Sequence, residues 1–158
     1  MKIYQFISII IIGLVLTDSL SYKKVLNVES PKFKAIIKEM NLENKETITK
    51  NEFREIMLKL ITKDKTNEKA THFNEGVVDN YIEDIDDELQ VSTLAEQLDY
   101  DKFIESIKQT VRVQFGEMYV DQVTNAILEA EQNIDKEEEQ IKKDIDKVIN
   151  EEEKVEEL

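Results

Sequence analysis

The chain of 158 residues has no cysteine, no tryptophan, one proline and one histidine. Without cysteine it can form no disulfide, thiol nucleophile or Cys-based zinc site, so its folded state has to rest on a buried apolar core. His72 has no second histidine near it and reads as a surface or boundary residue. Glycine is scarce as well, at Gly13, Gly76 and Gly116 only. A β-rich fold of this length needs more turn residues than that. No HExxH, GxSxG or Gly-rich phosphate-loop string occurs, so the chain offers no nucleophile, base and oxyanion site together. Positive charge is in deficit too, with 21 Lys and Arg against 35 Asp and Glu and a formal net charge of −14. Such a chain repels nucleic acid and anionic membranes, which leaves cations or a basic protein as its natural partners.

The amino terminus carries the one long apolar run. Lys2 is the only positive charge before Lys23, and Ile7 to Leu16 are apolar apart from Ser8 and Gly13. This run suits the h-region of a signal peptide and falls well short of the ~20 residues a spanning helix needs. Small residues at Thr17, Ser19 and Ser21 favour cleavage after Ser19 or Ser21. Residues 1–21 are therefore expected to be a signal peptide, and the protein to belong to the secretory pathway, in the endoplasmic reticulum lumen or outside the cell. No stable membrane span is expected after cleavage. Lys2 and Asp18 cancel, so the full acidic charge stays on the remainder.

Helical signals dominate that remainder. Ser30 followed by Pro31 is an N-cap with proline at the first helical position, and Phe33, Ile36, Ile37 and Met40 form one stripe. Asn41 can end this helix in a left-handed conformation. A second helix is expected from about Lys50, with Phe53, Ile56, Met57, Leu60 and Ile61 inward. A third is expected over about Asn74 to Leu89, burying Val77, Val78, Tyr81, Ile82 and Ile85. Thr93 and Glu96 have capping-box spacing. A fourth helix starts near Tyr100, and Gly116 breaks it. The last begins near Met118. Beyond Ala130, Ile134, Ile141, Val148 and Val155 recur every seven residues, while the complementary positions are mostly acidic, with Ile145 the exception. That is half a coiled-coil seam, open to three readings: a solvated single helix, a partly disordered acidic tail, or a helix that docks on a partner or a second copy.

Two segments share a pattern. In the first, Ile48 lies four residues before Glu52, and Phe53 follows; in the second, Leu98 lies four before Lys102, and Phe103 follows. Over about residues 31–115 this resembles a pair of EF-hand helix–loop–helix units. The resemblance implies a short pairing between the two loops through the apolar residues and a partner groove lined by Phe53, Met57 and Phe103. The ligand set is degenerate. The first loop offers Asn41, Glu43, Lys45, Thr47, Thr49 and Glu52, with Glu46 where glycine normally supplies positive φ. The second has Val91 at its first position, Ala95 and Glu96 at the fifth and sixth, and Lys102 in place of the bidentate glutamate. No metal site is expected, and any Ca²⁺ binding would be weak.

The expected architecture is all-α: residues 22–130 form an EF-hand-like or four-to-five-helix domain, and residues 131–158 an acidic Glu/Lys-rich helix or tail. The expected function is non-enzymatic binding of a protein or peptide that is basic or presents an apolar helix face. The alternative is a low-affinity, acidic Ca²⁺ buffer of the endoplasmic reticulum lumen. The segment Glu129 to Glu157 holds thirteen acids and five lysines for that role. The ending Val155-Glu156-Glu157-Leu158 is similar to a KDEL-type retrieval signal, with valine in place of the usual basic residue. Expressed in a secretory cell, the chain should yield a product starting at Leu20 or Tyr22. Intact-mass spectrometry checks this, and a product that still carries Ile7–Leu16 would refute it.

Overall fold

A computed structural model describes residues 21–63 and 65–157. The signal-peptide reading falls on residues 1–20 and so lies outside the described residues, apart from Ser21. Seven α-helices are present among the described residues: α1 (Tyr22–Val25), α2 (Pro31–Glu39), α3 (Lys50–Ile61), α4 (Glu68–Ile82), α5 (Leu94–Gln97), α6 (Tyr100–Phe115) and α7 (Val120–Glu156). Two short strands, β1 (Thr47–Thr49) and β2 (Glu88–Gln90), form one antiparallel pair. The fold class is all-α, with a long C-terminal helix.

Local chemistry sets most boundaries. The Ser30 hydroxyl accepts from the Phe33 amide at 3.1 Å to start α2, and Asn41 ends the turn after it with φ 58°. Thr49 and Glu52 form a reciprocal capping box at the start of α3. The Asp99 carboxylate caps α6 through the Lys102 amide. Gly116 stops α6 at φ 103°, a conformation that strains any side-chain-bearing residue, while its amide still reaches Arg112 O at 3.1 Å.

The third helix differs from its sequence expectation at both ends. It begins six residues early because the Asn67 side chain accepts from the Ala70 amide. It ends seven residues early, at Ile82, because the next stretch, Glu83-Asp84-Ile85-Asp86-Asp87, would crowd carboxylates onto a helix C-terminus. Ile85 and Leu89 are still buried, reaching the core from a loop and from β2. The acidic run is thus a loop. The Lys50 amide donates to Asp87 O at 2.9 Å, and Lys50 Nζ donates to Glu83 O at 3.3 Å.

In the two-stranded pair, Thr47 faces Gln90, Ile48 faces Leu89 and Thr49 faces Glu88. The sequence pattern pointed to Leu98 as the partner of Ile48; the structure corrects this to Leu89. Leu98 instead follows α5 and is half-buried, with Asp99-Tyr100 opening α6 directly after it. An alternating Glu-Leu-Gln triplet turns one side chain inward and two outward, as a strand at the edge of a helical core requires.

Helix α4 lies between α3 and α6; α2 packs on α3, α6 packs on α7, and α1 touches α3. Helix α7 runs for 37 residues, about 55 Å at helical rise. Val120, Val123 and Ile127 bind it into the core, and Glu131 is its last buried residue. From Asp135 to Glu157 every residue is exposed. Residues 131–156 continue α7 as a helix that projects from the domain. Leu89→Ala should lower the unfolding free energy by about 2–5 kcal/mol, the cost of a core cavity, and Leu98→Ala by clearly less. Urea denaturation of both variants checks the register; equal losses would contradict it.

Candidate functional site

The three residues expected to line a groove do not line one. Phe53, Met57 and Phe103 are 0%, 0% and 1% exposed. All three belong to the hydrophobic core, and the chain's own amino-terminal segment packs against Phe103. The Tyr22 ring lies 5.2 Å from the Phe103 ring, centroid to centroid, and Val25 and Leu26 are buried. On the other side of Phe103, Tyr81 meets it edge-on at 6.0 Å. The Tyr81 hydroxyl donates to Gln97 O and accepts from the Asp99 amide at 2.8 Å, so it ties the turn between α5 and α6 to α4. Burial pushes its phenol up to about 12.

The segment Asn41–Glu52 has its own cation. Lys45 Nζ sits 2.6 Å from Glu52 Oε1, and Glu52 Oε2 accepts from the Thr49 amide at 2.9 Å. Both oxygens of the only acid at the end of the segment are therefore occupied, one by an ammonium and one by the backbone. Hydrogen bonding from Lys45, then from Thr49, holds the Glu52 carboxyl below its ordinary range. Glu46 does not take the positive φ that the EF-hand pattern asks of that position; among the described residues Asn41 is the only non-glycine residue with positive φ. The Glu46 carbonyl instead accepts from the Val91 amide at 2.9 Å. Across the strands Thr47 Oγ1 donates to Glu88 Oε1 at 2.8 Å. Among the described residues no three His, Cys, Asp or Glu side chains gather where they could hold a metal ion. His72 is exposed on α4.

A third cluster joins the domain to α7. The Tyr100 hydroxyl donates to Glu131 Oε2, while the other oxygen of this buried carboxylate has no hydrogen-bond partner. Burial and then the Glu131 hydrogen bond raise the Tyr100 phenol. Lys24 pairs with Glu138 and lies 3.7 Å from Asp135, and Lys23 Nζ sits 5.5 Å from the centre of the Tyr100 ring. Hydrogen bonding to Glu138 raises the Lys24 ammonium.

Beyond that cluster α7 presents an apolar stripe to solvent. Ile141, Ile145, Val148 and Ile149 are 57%, 52%, 54% and 48% exposed, and Val155 is 70% exposed. They flank a shallow surface shared with Asp144. Periodicity located Ile141, Val148 and Val155 with Ile145 among them, and Ile149 widens the stripe into a face on the continuous helix. Val155 and Glu156 belong to the last turn of α7 and Glu157 follows it; Leu158 lies outside the described residues. No helix among the described residues is long and apolar enough to cross a membrane. No family model, curated protein or solved structure matches the chain.

Glu52 titrates below its unfolded value, so its contribution to stability is present above about pH 4.3 and is lost as pH falls through the lowered folded value. Lys45→Met should bring the Glu52 carboxyl back up toward the ordinary carboxylate range and shift acid unfolding to higher pH. NMR titration of the Glu52 side-chain carboxyl measures the first effect; an unchanged midpoint would contradict the ion pair.

Proposed function

We propose that the chain is a non-enzymatic interaction protein of the secretory pathway, whose domain holds out α7 as a docking face for a basic partner. The observation that carries this reading is the exposed apolar stripe Ile141, Ile145, Val148 and Ile149, with the acidic runs Glu137–Glu139 before it and Glu151–Glu153 after it. Each aliphatic side chain fully buried by a partner contributes roughly 1.5–3 kcal/mol, part of it offset by the cost of association. Residues 131–158 carry twelve acids and five lysines. That net acidic charge disfavours a second copy and steers a basic amphipathic helix toward α7. On this reading the partner meets α7, and Phe53, Met57 and Phe103 stay in the core.

The alternative reading, a low-affinity Ca²⁺ buffer of the endoplasmic reticulum lumen, is favoured by one feature. The carboxylates from Asp135 to Glu157 are all exposed. This reading expects weak uptake that disappears when residues 131–158 are removed.

Calorimetric titration of an amphipathic Leu/Lys helix into the chain starting at Leu20 tests the main reading. Saturable binding is expected, with Ile145→Asp combined with Val148→Asp weakening it at least about tenfold, or about 1.4 kcal/mol, without loss of helicity. Binding that ignores this pair of substitutions, or no binding at all, would overturn the reading. Calcium titration of the same chain reads the alternative.

A further inference from the structure

The amino-terminal segment Ser21–Leu26 differs from the rest of the core in how it is held. Helix α1 is a single turn, and its N-cap residue Ser21 makes no side-chain capping bond. One isolated turn has no stability of its own in water. Its packing rests on one aromatic and two aliphatic side chains, Tyr22, Val25 and Leu26, spaced i, i+3, i+4. Ordering the backbone of such a segment offsets much of what burying three side chains contributes. Its two lysines point away from the core toward acidic or aromatic groups: Lys24 to Glu138 and Asp135, Lys23 to the Tyr100 ring. The segment has the chemistry of a bound ligand, with an apolar face on the domain and a basic face on α7.

We propose that Ser21–Leu26 is an internal occupant of a binding groove floored by Phe103 and walled by α3 and by the Asp135–Glu138 turn of α7. When the segment detaches, the groove accepts a basic amphipathic helix from another protein, with one aromatic and two aliphatic residues at the same spacing. Charge complementarity selects this partner, because Asp135 and Glu138 lose their lysine when Lys24 leaves. The segment then sets the affinity of the site, since an incoming helix has to displace it. The site is separate from the Ile141–Ile149 stripe, so either can fail without the other.

The groove is exposed by the triple variant Tyr22→Ser, Val25→Ser, Leu26→Ser, made with Ile145→Asp and Val148→Asp to silence the stripe. A fluorescein-labelled peptide spanning residues 21–30 is the probe, followed by anisotropy. Saturable binding to this variant is expected, at least about tenfold tighter than to a chain with Tyr22, Val25 and Leu26 intact. A helical variant that takes up no peptide overturns the proposal. Hydrogen exchange on the unaltered chain decides the matter if the variant does not fold. The Lys24, Val25 and Leu26 amides are hydrogen-bonded to Ser21 O or Tyr22 O at 2.9–3.0 Å, so their protection reports attachment of the segment. Exchange at least about a hundredfold faster than at Ile56 and Ile107 supports a detachable occupant. Exchange as slow as those core amides makes the segment permanent core and overturns the proposal.

Discussion

The pairing of Thr47–Thr49 with Glu88–Gln90 is the constraint on which the domain depends. It joins α2–α3 to α4–α6 across some forty residues of sequence by backbone hydrogen bonds, and the alternation of buried and exposed side chains fixes its register. With Ile48 opposite Leu89, both side chains fall inward and the four flanking polar side chains fall outward. A slip of one residue would expose both apolar groups and bury glutamate or threonine. The extra bonds around it, Lys50 to Asp87 and Val91 to Glu46, extend the same staple at either end.

Around that staple the loops are held by groups of the chain itself. In the first loop Lys45 supplies positive charge from within the chain and takes one oxygen of Glu52, while the capping box takes the other. The α3 N-terminus is thus fixed by covalently attached groups.

The second organising feature is the exit of α7. Val120, Val123 and Ile127 hold its base in the core, and the buried pair Tyr100–Glu131 marks the point where it leaves. Above that point nothing among the described residues covers Ile141, Ile145, Val148 or Ile149, so the helix combines a base packed into the core with an exposed apolar face. The Lys24 contacts to Asp135 and Glu138 lie on the boundary between the two regions. They connect the amino-terminal segment to the first free turns of the helix.

Much of this was legible in the residues themselves. Ser30-Pro31, Asn41 and Gly116 mark boundaries through chemistry local to each position, and the stripes of α2, α3 and α6 follow from spacing within one helix. Helical class, acidity and the lack of disulfides are likewise properties of composition. The tertiary structure decided what depends on contacts distant in sequence. It chose Leu89 over Leu98 as the partner of Ile48, because both have a suitable apolar neighbourhood and only packing separates them. It shortened α4 at an acidic run whose cost depends on the helix end that carries it. It filled the face over Phe103 with Tyr22, Val25 and Leu26, since an apolar stripe is the same in sequence whether its partner is another protein or the chain itself.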